Sequence, residues 1–531
     1  MQLAGGGRYG MARDHMTMAV LSAAARRALV VLLAIACLAA ACCALVLLVR
    51  HFQEMRGEGA VASPLMPPAA HASEATGSGS FTADITYTSL DAPHGGEVAS
   101  SVTWDDAWFT ADPTAYNHEL ATTSSVLAAL AYSESGYYQA ASTQPAYMEE
   151  ALAALGFQDV STASYRYRSE VVDEVLNLFT NDADTVAYTI ARKRLVPPAA
   201  DGRPRDLILV SVRGSYGSEW LSNLHLAPEA SGAHGGERAS SKTSSSSEMA
   251  RDELATIAEP FASALEGWMS FVGELAGFDR VPASEPSSAS EPAVQPDDDE
   301  DHRGYVRAAR EICAELGSWI EKSHASGAEV SVLLTGHSRG GAIANLVASE
   351  IDDAMADGVA GGAAETQAAS SLAGVDAAYA YTFAAPATTT SAQAHDARYA
   401  NIFNIVNPSD IMPYLPLRSW GYERYGVNLY LPAAGADGFD ERYGRMRRAY
   451  AQTVGAESSY DPADKQTVDL LVDEVSERIA STRDLMTPAG AAAVAASCMT
   501  HIDPVRILYG HYPSTYIAWM DVLGADDLAR G

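Results

Sequence analysis

The pattern of apolar and polar positions divides the chain into an apolar run near the N-terminus and a long mixed remainder. Residues 28–49, "ALVVLLAIACLAAACCALVLLV", are 22 positions without a charged side chain. A helix needs about 20 apolar residues to cross a bilayer, so this run predicts an N-terminal transmembrane helix. Arginines are more frequent before the run than just after it: Arg8, Arg13, Arg26 and Arg27 against Arg50 and Arg56. This bias predicts a cytoplasmic segment over 1–27 and an extracytoplasmic remainder.

The length of the apolar run favours a membrane anchor over a signal peptide. A signal peptide has a shorter apolar region, of about 7–15 residues. Ala70-His71-Ala72 resembles a cleavage site, but it lies far beyond the run. The sequence therefore predicts a single-pass protein of the cell membrane whose anchor is not cleaved.

Beyond the predicted anchor, the composition indicates a linker, then a folded domain that contains two insertions. Residues 50–100 read as a linker, because their first part is rich in Ala, Pro, Ser and Gly. Ordered structure is expected to begin near Trp104, in a domain over 101–531. Within it, residues 226–252 are rich in serine and residues 281–301 are acidic and of low complexity. Both read as surface insertions.

Apolar periodicity in the domain alternates between strands and helices. Leu207–Val212 is a nearly continuous apolar run, as expected of a strand covered on both faces. Further strands are predicted over 329–335, 377–386 and 401–410, and apolar positions at helical spacing predict helices over 115–132, 148–157, 253–277 and 304–323. This alternation predicts an α/β fold with a mostly parallel central sheet flanked by helices.

Composition and charge narrow the possible functions. The 531 residues are 48% apolar and 19% charged, enough for a large core. The formal net charge is −32, which argues against a nucleic-acid partner because phosphate binding needs clustered Lys and Arg. There is no C-x-x-C, no H-E-x-x-H and no phosphate-binding loop, so the sequence predicts neither a metal nor a cofactor. Cys313 and Cys498 could form a disulfide or be two buried thiols.

The segment "VLLTGHSRGGAIANL", residues 332–346, carries the strongest sign of chemistry. It places Ser338 between Gly336 and Gly340, after an apolar strand and before a helix-like run. This strand–turn–helix context is typical of a nucleophilic serine held near a helix N-terminus. The alternative is an ordinary glycine turn capped by the serine. His337 is adjacent, but at such a sharp turn its side chain should point away from the serine oxygen.

A serine nucleophile needs a base, and the base needs an acid. His511, in "LYGHYPSTYIAWM", follows the serine late in the chain, in the order Ser, acid, His that α/β-hydrolases use; His501 is the alternative base. Asp410 ends the predicted strand and turn "NIFNIVNPSD" and is the candidate acid. Asp503 and Asp376 are weaker alternatives for the acid, because neither directly follows so clear a strand.

Two further groups complete a candidate oxyanion hole. The backbone N–H of Arg339, the residue after the serine, is one donor. Ser215, just past the strand that ends at Val212, offers an N–H and a hydroxyl as the other. Losing one such donor typically costs about 2.7–4 kcal/mol of transition-state stabilisation.

Taken together, these segments resemble the class 3 (fungal-lipase-like) lipase family of the α/β-hydrolase superfamily. The matching pieces follow the family order over roughly 104–521: "VSVRGSYGSEWLSNL", "HRGYVRAAREICAEL", "VLLTGHSRGGAIANLVA", "YTFAAP", "NIVNPSDIMPYLP" and "GHYPSTYIAWM". The resemblance implies an oxyanion role for Ser215, and the roles of nucleophile, acid and base for Ser338, Asp410 and His511. Arg339 departs from the leucine that is common there and would place a charged side chain at the floor of the acyl pocket.

The resemblance also raises the question of a lid, because family members often cover the site with a mobile helix. Residues 226–301, with the predicted helix over 253–277, are the candidate. The alternative is a helix simply packed on the sheet.

The sequence thus predicts a membrane-tethered, extracytoplasmic serine hydrolase that cleaves carboxylic esters, with lipids such as acylglycerols as substrates. Two alternatives stay open: a peptidase or acyltransferase on the same fold, and a non-catalytic binding module of the cell envelope.

Overall fold

The computed structural model describes a large part of the chain beyond the linker. The described residues are 77–89, 91–92, 96–139, 146–162, 164–165, 186–196, 202–214, 303–360, 367–479, 506 and 509–531. The predicted cytoplasmic segment, the transmembrane helix over 28–49, both insertions and the candidate lid lie outside these residues. Among the helices of the described part, none has the length and apolarity that a bilayer crossing requires.

A β-hairpin precedes the main domain and corrects the predicted linker. Strands β1 (Ser80–Thr88) and β2 (Glu97–Asp105) pair antiparallel, with Ile85 opposite Ser100. Both strands alternate exposed and buried positions, which is the period of a sheet with one covered face. The linker predicted over 50–100 is therefore wrong from Ser80 onward, because this alternation was not recognised.

The hairpin is joined to the domain by a buried ion pair. Asp106, directly after β2, lies 2.7 Å from the Nζ of Lys193, which is equally buried. The same ammonium donates to the Leu155 carbonyl oxygen, and Trp104 Nε1 donates to Asp106. Burial lowers the pKa of Lys193, so the pair depends on its hydrogen bonds to offset desolvation.

The central sheet of the described residues is mixed and has eight strands. Their order is β10-β9-β8-β7-β6-β5-β4-β3. The bounds are β3 (Asp159–Ser161), β4 (Tyr188–Arg194), β5 (Arg205–Val212), β6 (Glu329–His337), β7 (Ala377–Phe383), β8 (Ile402–Val406), β9 (Val427–Tyr430) and β10 (Ala529–Arg530). Strands β5 to β9 are parallel, whereas β3, β4 and β10 join antiparallel. The sheet predicted to be mostly parallel is thus a mixed sheet, parallel at its centre and antiparallel at both edges.

Helices cover both faces of this sheet. They are α1 (His118–Gln139), α2 (Tyr147–Ala154), α3 (Arg303–Ala325), α4 (Arg339–Ala360), α5 (Gln367–Leu372), α6 (Phe439–Val454), α7 (Asp464–Arg478) and α8 (Pro513–Met520). One face carries α1, α6 and α8 over a core that includes Leu333 and Trp519, and the other carries α3, α4 and α5 over a core that includes Val332 and Ile312. Neighbouring β6 residues therefore enter opposite cores, which explains the continuous apolar run.

Of the two cysteines considered for a disulfide, only Cys313 lies among the described residues. Cys313 on α3 is buried and has no disulfide partner among the described residues, and burial raises its pKa. Cys498 lies outside the described part of the chain.

Candidate active site

The turn between β6 and α4 is the centre of the site. Ser338 occupies it with φ of +57°, in the left-handed region that side chains rarely adopt. A Cβ on Gly336 would lie 2.3 Å from the Gly340 carbonyl oxygen, and a Cβ on Gly340 would lie 2.3 Å from the Val212 carbonyl oxygen. Only glycine fits at both positions, so the two glycines let the turn close and hold the serine in its strained conformation.

Backbone hydrogen bonds fix this turn against the neighbouring strand. The Ser338 N–H donates to the Phe383 carbonyl oxygen at the end of β7, at 2.9 Å. The Ser338 carbonyl oxygen accepts the Ala342 N–H at 3.0 Å, which is the first hydrogen bond of α4. The serine therefore lies at the carboxyl edge of the parallel strands and at a helix N-terminus, whose partial positive charge favours a nearby anion.

The structure brings the predicted serine, histidine and aspartate into one chain of hydrogen bonds. His511 Nε2 lies 3.0 Å from the Ser338 Oγ, and His511 Nδ1 lies 2.9 Å from the Asp410 Oδ2. The three residues are 5%, 3% and 0% exposed. Because a carboxylate only accepts, Nδ1 carries the proton and Nε2 presents its lone pair to the hydroxyl. The histidine is thus in the tautomer that can remove the serine proton.

Two groups besides the histidine hold the Asp410 carboxylate. The Met412 N–H donates to Oδ1 at 2.9 Å, and the Tyr516 hydroxyl donates to Oδ2 at 2.8 Å. Burial, followed by the charge of Asp410, raises the pKa of Tyr516 well above its ordinary value. The tyrosine consequently stays a donor to the carboxylate at any pH at which the fold operates.

Asn407 connects the loop of the acid to the loop of the base. Its side-chain amide donates to the Gly510 carbonyl oxygen at 2.8 Å, directly before the histidine. Its backbone N–H donates to the Tyr516 hydroxyl at 3.1 Å, and its side-chain oxygen accepts from Tyr460 at 3.2 Å. Neither this residue nor the two tyrosines stand out in the sequence, although the asparagine lies in the turn "NPSD" that contains Asp410.

His337 lies behind the histidine base rather than beside the serine oxygen. Its Nε2 is 2.7 Å from the His511 carbonyl oxygen, and its Nδ1 is 3.0 Å from the Tyr132 hydroxyl. The two imidazole centroids are 4.7 Å apart. Burial, followed by the proximity of His511, lowers the pKa of His337 well below its ordinary value. His337 is therefore a neutral, buried neighbour of His511.

The remaining predicted residues divide into those at the site, those outside the described residues and one elsewhere. Arg339 is the first residue of α4 and is half-buried. Ser215, His501 and Asp503 lie outside the described residues. Asp376 lies at the amino end of β7, where it accepts the Val330 N–H at 2.7 Å. It is therefore at the wrong edge of the sheet to serve as the acid.

The described residues contain no group of three or more His, Cys, Asp or Glu side chains arranged to hold a metal ion. The described site offers a serine hydroxyl, an imidazole, a carboxylate and backbone N–H groups.

Comparison with known proteins places part of the chain in a family. A family model described as Lipase (class 3) matches residues 271–420, which confirms the resemblance predicted from the motifs and, with it, the predicted class of a serine ester hydrolase. A comparison with curated proteins finds no match.

Several solved lipase structures match with low similarity. A Rhizomucor miehei lipase propeptide complex is 18% identical, over 60% of this chain and 70% of that chain, with a TM-score of 0.29. A triacylglycerol lipase with a serine protease triad as its catalytic centre is 16% identical, over 60% and 82%, with a TM-score of 0.31. A lipase from Rhizopus microsporus var. chinensis is 14% identical, over 65% and 82%, with a TM-score of 0.27.

Proposed function

Residues 271–420 of this chain match the class 3 lipase family. On this basis we propose that the protein is a membrane-tethered, extracytoplasmic serine hydrolase that cleaves carboxylic esters of lipids, such as acylglycerols. Ser338 is the nucleophile, His511 the general base and acid, and Asp410 the residue that orients the histidine. The observation that carries the proposal is the pair of hydrogen bonds from the His511 ring, one to the Ser338 Oγ and one to the Asp410 carboxylate.

Acylation follows from this arrangement. The Ser338 Oγ attacks the ester carbonyl carbon while its proton passes to the His511 Nε2, and the carbonyl π electrons move to the oxygen. When the tetrahedral intermediate collapses, the bond to the alcohol oxygen breaks and His511 returns the proton to that oxygen. The alcohol leaves, and the acyl group remains bonded to the serine.

Deacylation repeats these steps with water. The His511 Nε2 removes a proton from a water molecule, which attacks the acyl carbon. The second tetrahedral intermediate releases the carboxylic acid and restores the Ser338 hydroxyl with the proton from the imidazolium. During both stages the buried Asp410 carboxylate stabilises the imidazolium, and its low-dielectric surroundings strengthen this interaction.

The negative charge that develops on the substrate oxygen requires donors. The Arg339 N–H belongs to the first turn of α4, where N–H groups point out of the helix N-terminus. Ser215 is proposed as the second donor. Gly214, the last described residue before it, packs against the nucleophile turn: a Cβ there would lie 2.6 Å from the His337 carbonyl oxygen. The backbone that leads to Ser215 therefore starts beside the serine.

The proposal of a tethered lipid hydrolase combines the site with the N-terminal sequence. The run over 28–49 is long enough to cross a bilayer and has more arginines before it than just after it. An anchor of this kind would keep the site close to membrane lipids. A lid role for residues 226–301 stays part of the proposal, because apolar positions recur at helical spacing over 253–277.

The test is a hydrolysis panel on the full-length chain in detergent micelles. The substrates are p-nitrophenyl esters of increasing acyl length, a triacylglycerol emulsion and amides of matched structure. Ser338→Ala is expected to lower kcat for the esters by about 10⁴-fold or more, whereas Ser349→Ala, a buried serine farther along α4, should keep the wild-type rate. Ester hydrolysis that survives in Ser338→Ala would contradict the proposal, and faster cleavage of the amides would favour a peptidase.

A further inference from the structure

His337 makes two hydrogen bonds that tie the base to another part of the fold. Its Nε2 lies 2.7 Å from the backbone carbonyl oxygen of His511, and its Nδ1 lies 3.0 Å from the hydroxyl of Tyr132 on α1. The mechanism proposed above uses neither contact. The ring is 1% exposed, so both bonds are made without competition from solvent.

The partners of the ring determine its tautomer. A carbonyl oxygen can only accept, so Nε2 must carry the proton. In the neutral ring Nδ1 then has a lone pair, and the Tyr132 hydroxyl donates to it. Burial keeps His337 neutral by lowering its pKa, and this arrangement of one donor and one acceptor is therefore retained.

The Tyr132 hydroxyl lies where three parts of the site meet. Besides His337, it touches the chain that leaves β5 toward Ser215: a Cβ on Gly214 would lie 2.0 Å from this hydroxyl oxygen. The hydroxyl also donates to the His337 ring, which in turn donates to the backbone carbonyl oxygen of His511. The Tyr132 hydroxyl therefore lies next to the start of the oxyanion loop, but its hydrogen bond goes to the histidine that supports the base.

We propose that His337 is a positioning residue which, with Tyr132, holds the backbone and ring of His511 at the correct distance from the Ser338 Oγ. The inference rests on the proposed hydrolase function, because it assigns the support of the base in that reaction. His337 does not touch the serine oxygen and transfers no proton. It acts through the carbonyl of His511 and through the packing of the two rings at 4.7 Å.

Catalysis is sensitive to this support because the base must meet the hydroxyl in a narrow range of geometry. Misplacement by about 1 Å can lower a rate by about 10²-fold. His511 begins a loop-to-helix segment, two residues before α8, and its backbone is held from one side by Asn407 through the Gly510 carbonyl. His337 holds the next carbonyl oxygen along the chain, that of His511 itself.

Kinetics of the full-length chain separate positioning from mere packing. His337→Phe keeps the ring but loses both hydrogen bonds, and kcat is expected to fall by about 10–100-fold, with KM within about twofold of wild type because the substrate is not touched. His337→Gln can still donate to the His511 carbonyl and should recover at least about threefold in kcat over His337→Phe. A folded His337→Phe variant with wild-type kcat, or no rescue by Gln, would overturn the proposal.

A second variant, Tyr132→Phe, tests the same support if the His337 variants fail to fold. Tyr132→Phe is expected to lower kcat by about 3–10-fold, and to have no further effect when His337 is already Phe. The matched control is Tyr379→Phe, which removes a tyrosine hydroxyl bonded to the Ala111 carbonyl oxygen at the other end of the sheet; its kcat should equal wild type. An unchanged kcat in Tyr132→Phe, or equal losses in the test and the control, would contradict the inference.

The bonding pattern can be read without any turnover. In chain labelled with ¹⁵N-histidine at pH 7, the signal that disappears in His337→Gln should show a protonated Nε2 and an unprotonated Nδ1. A protonated Nδ1 would refute the assigned bonds even in an active enzyme. If the spectrum shows a protonated Nε2 and an unprotonated Nδ1 but the chain hydrolyses no ester, the hydrogen bonds of His337 are as assigned and the proposed hydrolase function is wrong.

Discussion

At the scale of single residues, Asp410 decides which nitrogen of His511 carries the proton. Its carboxylate accepts from the His511 Nδ1, from Tyr516 and from the Met412 N–H. Asp410→Asn offers an N–H to Nδ1 and so favours the opposite tautomer, in which Nε2 no longer accepts the serine proton. We expect kcat for a short-chain ester to fall by about 10³–10⁴-fold, measured by steady-state kinetics.

The control for this change is Asp396→Asn, because Asp396 is exposed and outside the site. It should leave kcat unchanged. If Asp410→Asn kept more than about a tenth of the wild-type kcat, the assigned acid would be wrong.

Asp352 provides a pH-dependent prediction for stability. The side chain is buried on α4; Asn401 donates to its Oδ1, and its Oδ2 has no hydrogen-bond partner among the described residues. Burial raises its pKa from 3.8 to about 8. The folded state therefore holds a proton that the unfolded state releases, and the free energy of unfolding falls as pH rises from about 4 to about 8.

Asp352→Asn removes this pH dependence. The variant should match wild type near pH 4 and be more stable by about 1–3 kcal/mol at pH 8, as measured by urea unfolding across the pH range. Asp357→Asn, an exposed position on the same helix, should shift stability at neither pH. Parallel stability curves for wild type and Asp352→Asn would show that this carboxyl is not buried as described.

The sequence was sufficient to predict which serine, histidine and aspartate the fold brings together, because Ser338 and Asp410 follow recognisable strands and His511 comes last in the expected chain order. It was not sufficient for Tyr516, Asn407 and Tyr132. Their roles depend on contacts between distant segments: the Tyr132 hydroxyl meets a ring 205 residues later. A tyrosine in "HYPSTYIAWM" has the same local pattern as an ordinary core aromatic.

At the scale of elements, a buried polar network holds the nucleophile helix to the sheet. Asn404 on β8 accepts from Asn345 on α4 and from Thr382 on β7, at 3.0 and 2.7 Å, and donates to the Tyr425 carbonyl oxygen at 2.9 Å. Asn404→Leu removes these bonds and leaves the buried Thr382 hydroxyl without this acceptor, whereas Asn345 still donates to the Tyr425 carbonyl oxygen. We expect a loss of about 2–4 kcal/mol in the free energy of unfolding, measured by chemical denaturation, against no significant loss for the exposed Gln452→Leu.

A wild-type denaturation midpoint in Asn404→Leu would mean that the network adds no stability. The prediction can also be checked at the site, because a loosened α4 should lower the rate at which a phosphonate labels Ser338.

Long apolar elements could be predicted from the sequence, whereas the shortest strands and the N-terminal hairpin could not. The strand predicted over 329–335 corresponds to β6 (Glu329–His337), and the helix over 304–323 corresponds to α3 (Arg303–Ala325). Strands β3 and β10 have three and two residues, too few for any periodicity. Their antiparallel pairing is set by where the chain meets the sheet edge. The hairpin was missed because its outer face is polar, so only every second residue marks it as folded.

At the scale of the whole molecule, anchor and catalytic unit should be separable. The described residues, and with them the site, belong to the compact unit Pro67–Gly531. Removing residues 2–66 should therefore move the protein from the membrane pellet to the soluble fraction, with unchanged kcat on a short-chain ester. Sedimentation after carbonate extraction measures the first and steady-state kinetics the second.

A matched pair of substitutions tests the apolar run itself. Leu33→Arg with Leu38→Arg places two charges in its middle, each costing about 2.5–3.5 kcal/mol of insertion, and should also release the protein. If carbonate released the unsubstituted full-length chain from membranes as readily as the chain that lacks residues 2–66, the proposed membrane tether would be wrong.

The position of covalent labelling in the full-length chain shows directly whether Ser338 is the nucleophile. After reaction with a fluorophosphonate, peptide mass spectrometry should find one adduct, on Ser338, formed at a rate that falls by orders of magnitude in His511→Ala. An adduct on another residue, or no adduct on a folded chain, would contradict the assignment of Ser338 as the nucleophile.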